Sequence, residues 1–194
     1  MALLRTVDAT TEPLTTAEAK THLRVTISAD DAYIDALVKA CRQTAEKELR
    51  RSLITQTWER TLDAFPTTAN AEIRLDMPPV IAITSVKYLE SVAGTLLTLN
   101  ATSYTLDSKS EPGWLVPAYG YVWPDTYATI NAVTVTYTAG YGAAAADVPQ
   151  AIKQWILVHV GHYYENREAT MPGVSITPLP FVGGLLDGYR VVTF

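Results

Sequence analysis

Cysteine is almost absent from this chain of 194 residues, which carries Cys41 alone. One thiol cannot close an internal bridge, so neither a disulfide framework nor a cysteine-based zinc site can be built from it. None is needed, because a compact chain of this size buries roughly 70% of its unfolded surface. Charge is also scarce: Asp, Glu, Lys and Arg make up 18% of the residues, against about 25% in ordinary soluble domains. Part of the surface is therefore expected to be hidden in an assembly or to be rich in neutral polar groups. The net charge of −5 argues against general attraction to phosphate backbones. Long apolar runs are missing. No stretch reaches the roughly 20 residues that span a bilayer, and Met1-Ala2-Leu3-Leu4-Arg5 lacks the apolar core of a secretory signal. The expectation is a chain made and folded in a cytosol, without a membrane partner. There is no Walker phosphate loop, no G-x-G-x-x-G fingerprint and no G-x-S-x-G nucleophile elbow.

What is present is a core-forming composition, 48% hydrophobic, enough for one domain, or one domain carrying a substantial insertion. Thr15-Thr16-Ala17-Glu18 has the form of a capping box and predicts a short helix through Leu23. A second helix is predicted after Ser28-Ala29-Asp30-Asp31, where Ile34, Leu37, Val38, Cys41, Ala45 and Leu49 recur at three- and four-residue steps. From Gln56 to Tyr137 the chain turns to Thr, Val, Ile and Tyr punctuated by Pro and Gly. Strands are predicted at 58–63, 72–75, 81–89, 95–99, 104–106 and 133–137, giving an antiparallel β subdomain. Helix returns after Asp147-Val148-Pro149-Gln150, with Ile152, Trp155, Ile156, His159, Val160 and Tyr163 on one face. The fold class is α+β: a helical bundle core of two N-terminal helices and one long C-terminal helix, an inserted β subdomain, and an extended tail. The corresponding boundaries are 1–55, 56–146, 147–168 and 169–194. Prolines and glycines break any helical period in the tail, yet it is apolar, so it must be covered by its own body or by a partner.

Catalytic candidates are few. His159, His162 and Glu165 share a helical face at metal-ligand spacing, but histidines beside Trp155, Tyr163 and Tyr164 more often pack, and a zincin needs Glu where Val160 stands. Cys41 sits on an apolar face and reads as a small buried hydrophobe. Neither cofactor nor metal is expected. Two features point instead to protein partners. Trp114, Tyr119, Tyr121, Trp123 and Tyr127 fall in a stretch, 114–141, whose one charge is Asp125, and such aromatics favour buried contact centres. With Trp155, His159 and Tyr163 they form the candidate subunit interface. A glycan-binding β module is the other use of the same aromatics. The second feature is the tail from Leu185 to Phe194, able to add to a sheet edge, lie in a groove, or fold back on its own subunit.

Several segments in order resemble the head–tail connector (adaptor) proteins of long-tailed phages and gene transfer agents. They are Pro13-Leu14-Thr15-Thr16-Ala17-Glu18-Ala19-Lys20 with His22-Leu23-Arg24-Val25, then Asp30-Asp31-Ala32-Tyr33-Ile34, and Pro78-Pro79-Val80 before Ile83-Thr84-Ser85-Val86. Val135-Thr136-Tyr137-Thr138-Ala139-Gly140-Tyr141-Gly142, Val148-Pro149 with Ile152-Lys153-Gln154, Gly161-His162-Tyr163-Tyr164-Glu165-Asn166-Arg167-Glu168 and Tyr189-Arg190 follow. The resemblance implies a non-enzymatic virion protein forming a homo-oligomeric ring, commonly twelve-fold, beneath the portal. It would adapt the portal protein to the stopper or tail-terminator protein, with DNA only as cargo passing through the lumen. Another neck component, such as a stopper or tail-completion protein, is the nearest alternative. Carried onto this chain, the resemblance assigns portal contact to the tail, namely Leu185, Leu186, Tyr189, Arg190, Val191, Val192 and Phe194.

Overall fold

A computed structural model describes residues 1–67, 71–90, 94–167 and 180–191. Helices and antiparallel sheets are both present, as an α+β class requires, and the chain divides into two units. A strand unit takes Met1–Ala9 and Thr55–Tyr141, and a helical unit takes Thr10–Ile54 and Gly142–Phe194.

The strand unit holds a five-stranded antiparallel sheet in the order β1 (Ala2–Val7), β2 (Gln56–Leu62), β8 (Val133–Ala139), β4 (Val80–Leu89), β5 (Leu96–Thr98). A second sheet runs β3 (Ile73–Leu75), β7 (Gly113–Pro117), β6 (Tyr104–Asp107). The central strand β8 shows why: its residues alternate, so Val133, Val135, Tyr137 and Ala139 are buried while the threonines between them are half-buried. That is the period-two pattern of a strand with one face in a core. Leu62, Ile73, Leu75, Val80, Val86 and Leu115 join them, so both sheets contribute to a single core. Gly113 lets them approach: a Cβ there would lie 2.8 Å from Val80 Cγ2. The phenol of Tyr137, fully buried, donates to the Asp76 carbonyl at 2.7 Å, which removes the penalty of an unpaired buried hydroxyl.

The N-terminal boundary is a correction. Residues 1–55 are expected to be helical, but Ala2–Val7 is a strand paired along β2, with Leu4 opposite Glu59. Leu3-Leu4-Arg5-Thr6-Val7 carries Thr and Val and no helical period; it is too short for a confident period, and its pairing partner lies 50 residues and more away. β7 also escapes the sequence, because Trp114 and its neighbours read first as an aromatic cluster.

In the helical unit, α1 (Thr16–Leu23), α2 (Asp31–Leu49), α3 (Gln150–Glu165) and α4 (Pro180–Asp187) pack on one another. The capping box forms as the sequence predicts. The Glu18 N–H donates to Thr15 Oγ1 at 3.2 Å and the Thr15 N–H to Glu18 Oε2 at 2.7 Å. Such a cap is worth about 1 kcal/mol. On α2 the stripe Ile34, Val38, Cys41, Ala45 and Leu49 is buried, and it continues into Leu53 and Ile54. Two ions share this interior. Arg42, fully buried, donates from Nε to Glu12 Oε2 at 2.7 Å and from Nη1 to Glu46 Oε2 at 2.8 Å. Glu46 Oε1 in turn accepts the Leu53 N–H at 3.1 Å, tying the end of α2 to the chain beyond it. Before α3, Asp147 caps a short turn rather than the helix: its Oδ2 accepts the Ala144 N–H at 3.0 Å, and α3 starts at Gln150 after Pro149.

The tail is the second correction. It is not extended over 180–187. Pro180 occupies the first helical position, where a missing N–H costs nothing, and Val182 and Leu186, four apart, are both buried. The glycines at 183 and 184 and the prolines upstream masked that i, i+4 pair in the sequence.

Candidate functional site

The aromatic stretch splits once it folds. Trp123 is turned inward: its ring stacks on Phe65 with centroids 4.8 Å apart and planes 4° from parallel, and its Nε1 donates to the Ala71 carbonyl at 2.6 Å. Phe65 reaches on to Tyr88 at 5.7 Å. Trp114, on β7, is half-buried in register with Arg74 and Asp107. Between and beyond them the chain projects. Tyr119 is fully exposed, Tyr121 and Tyr127 are 51% and 38% exposed, and Val122 and Ile130 stand out beside them. The projecting loop is braced at its base, where the Ala118 N–H donates to the Ser103 carbonyl and the Tyr127 N–H to the Leu89 carbonyl. An open cavity of about 560 Å³ lies along Phe65, Pro66, Val116, Tyr121, Trp123 and Pro124. The arrangement is an exposed apolar surface held at its base by backbone hydrogen bonds. It can bury area against a partner.

The helical-unit candidates divide likewise. Trp155 is buried in its own unit, which corrects its assignment to a subunit interface: the apolar face of α3 that holds it is a core face. His159 stacks on the Trp155 ring at 3.7 Å and its Nδ1 lies 2.9 Å from the Trp155 carbonyl oxygen. His162 turns Nδ1 to the Asn166 amide at 3.3 Å. Among the described residues no group of three His, Cys, Asp or Glu stands close enough to hold a metal. Tyr163 is 44% exposed and remains available to a partner. Sequence reasoning missed the cluster beside it. The Tyr164 hydroxyl donates to Asp30 Oδ2 at 2.6 Å, and the Arg167 guanidinium lies over the Tyr33 ring at 4.7 Å and the Tyr164 ring at 5.5 Å. The hydrogen bond to Asp30 raises the Tyr164 pKa. The cluster joins the start of α2 to the end of α3. Asp30 thus serves a tyrosine rather than capping its helix, where no side-chain cap bond forms.

The tail candidates are placed against their own unit. Leu186 is fully buried, so it is not presented to a partner, and Leu185 and Tyr189 are half-buried. The Val191 N–H donates to the Leu49 carbonyl at 3.2 Å, Arg51 Nε donates to the Tyr189 carbonyl, and Arg190 meets Glu48 at 3.3 Å. Of the three ways the tail could be covered, folding back holds for 180–191. Val192 and Phe194 lie outside the described residues.

Residues 14–88 match the model of the phage gp6-like head-tail connector protein family, which the sequence resembles. The match runs from the approach to α1 into β4. No curated protein matches the chain. Among solved structures, a chain from the virion of a native gene transfer agent particle superposes with a TM-score of 0.82 at 23% identity. A chain from the neck of an empty gene transfer agent particle, computed with C6 symmetry, gives 0.81 at 24%. One from the neck of a native particle, computed with C12 symmetry, gives 0.72 at 24%. Each covers 100% of this chain and 97% of the other. The likeness therefore extends across both units.

Proposed function

We propose that this chain is a structural head–tail connector of a virion, an adaptor in the neck. It acts without catalysis: copies form a ring at the joint, the portal protein docks on one side and the stopper or tail-terminator protein on the other, and DNA passes through the lumen. The observation that carries this reading is the connector-family match, which spans elements of both units rather than one local motif. The whole-length likeness to neck chains supports it, and the twelve-fold count follows the symmetry of one of those necks. The physics agrees. A ring built head to tail needs two different patches on each copy. The projecting apolar loop with Tyr119, Val122 and Ile130 adds an exposed surface, of the kind that marks partner contact. The acidic balance suits a conduit that lets DNA slide rather than gripping it.

Portal contact is assigned to the outward side of the tail, Leu185, Tyr189, Arg190 and Val191, and to Val192 and Phe194 of the same segment of sequence. Leu186 anchors that surface from beneath. The test is removal of the chain from particle production. Filled heads without tails are expected by electron microscopy, and normal tailed particles would overturn the proposal. For the tail, Arg190→Ala, which removes only exposed ion pairs with Glu48 and Asp187, should weaken capture of the portal protein in pull-down while the melting temperature falls by no more than a few degrees.

A further inference from the structure

The five-stranded sheet leaves two edges bare, and they match. β1 pairs only with β2 among the described strands, and neither of its faces is covered: Leu3, Leu4 and Val7 are 36%, 61% and 51% exposed. At the other end of the sheet, β5 covers β4 only at Lys87–Leu89, with the Leu99 N–H adding a bond to the Val86 carbonyl. Among the described residues no strand pairs with the outer edge of β4 from Ile81 to Ser85. Those residues are Ile, Ala, Ile, Thr and Ser, without a charge, and Ile81 is 46% exposed. An edge strand presents a row of N–H and C=O groups that have no partner in its own sheet. Natural edges are usually blunted by charge, proline or bulges. Here β1 carries one charge, Arg5, which meets Asp8 at 3.1 Å, and neither stretch contains a proline; the ladders shift register between Arg5 and Val7, between Val80 and Ala82, and between Ile83 and Ser85.

Direction and level agree as well. Three antiparallel steps separate β1 from β4, so the two run oppositely. Followed across the ladders, Leu4 stands opposite Glu59, Glu59 opposite Thr136, and Thr136 opposite Ser85. By the same path Arg5 is level with Ile83 and Val7 with Ala82. The part of β4 that β5 leaves bare is thus level with Leu4–Val7, while Ala2 and Leu3 are level with Lys87 and Val86, which β5 and Leu99 cover.

We propose that β1 of one copy adds as an antiparallel strand to the bare Ile81–Ser85 edge of β4 in the next copy. The occupant is a second copy because the two edges lie at opposite ends of one sheet, complementary in direction, level and chemistry. That is the heterologous pair of patches a closed ring requires. A different protein would need only one of them. The inference rests on the ring reading and names its junction. Main-chain hydrogen bonds supply the pairing and the apolar side chains of β1 supply buried area.

The test uses the full chain, whose native Cys41 is buried. Leu4→Cys is combined in turn with Ser85→Cys and with Ile83→Cys, and each double variant is oxidised at concentrations where the wild type assembles. A ladder of covalent multimers on a non-reducing gel is expected from at least one pair, and none from the single variants. Leu4→Lys, whose charge faces Glu59 across the ladder, should move the assembly midpoint at least tenfold to higher concentration, with the melting temperature of the unassembled chain unchanged. Rings that form normally while neither pair cross-links would overturn the strand junction and leave the ring standing. A wild-type chain that stays monomeric throughout would overturn the ring itself, and the junction with it.

Discussion

Leu186→Ala should destabilise the helical unit by about 3 kcal/mol. Its side chain is fully buried, on a helix that packs on α3. Removing a buried leucine to Ala costs ~2–5 kcal/mol, the transfer of the lost methyl and methylene groups plus the cavity left behind. The middle of that range is appropriate, since α4 is short and the site can partly collapse. In a unit of roughly 100 residues each kcal/mol lowers the midpoint by about 4–8 °C. A fall of at least 10 °C is therefore expected in the helical transition, read by far-ultraviolet circular dichroism. Leu185→Ala, half-buried on the same helix, should cost well under half as much. If Leu186→Ala melts within 2 °C of the wild type, the tail is not part of the body and the folded-back α4 is refuted.

Arg42→Ala removes the buried guanidinium that meets Glu46 and Glu12, and breaking a buried pair from one side costs ~3–5 kcal/mol; urea unfolding should show a loss of that order, with Arg42→Lys intermediate. The capping carboxylate sets an acid limit. Glu18 is held below its ordinary value of 4.5, first by the Thr15 backbone N–H and then by the Thr15 hydroxyl. Its stabilisation is therefore present above that value and lost as pH falls through the lowered folded one. Glu18→Gln should be less stable than the wild type at pH 7, the gap narrowing as pH falls below 4.5 in melts at successive pH values. Burial pushes the Cys41 thiol up to about 11, so at pH 8 a thiol reagent should label it only in denaturant; rapid labelling of the native chain would contradict its placement.

Much of the helical unit is legible in the sequence, because capping and periodicity are local. Thr15 and Glu18 lie three apart, and the α2 stripe repeats within each two turns. The strands through 133–139 are legible for the same reason, since alternation in β8 is visible in five consecutive residues. Long-range facts are not. Nothing near Leu3 announces that its partner is Arg60, and nothing near Val182 overrides the glycines that follow it. The aromatic cluster shows the limit for the site: its composition marks it as unusual, but only the fold separates Trp123, stacked on Phe65, from Tyr119, standing in solvent. The Asp30–Tyr164–Arg167 contact spans more than 130 residues and has no sequence spacing to betray it.

Symmetry-resolved electron microscopy of purified particles tests the central claim most directly. Density for this chain, with both of its units fitted, is expected as a closed ring between the portal and the tail. Density for it anywhere else in the particle, or its absence from the neck, would contradict the account.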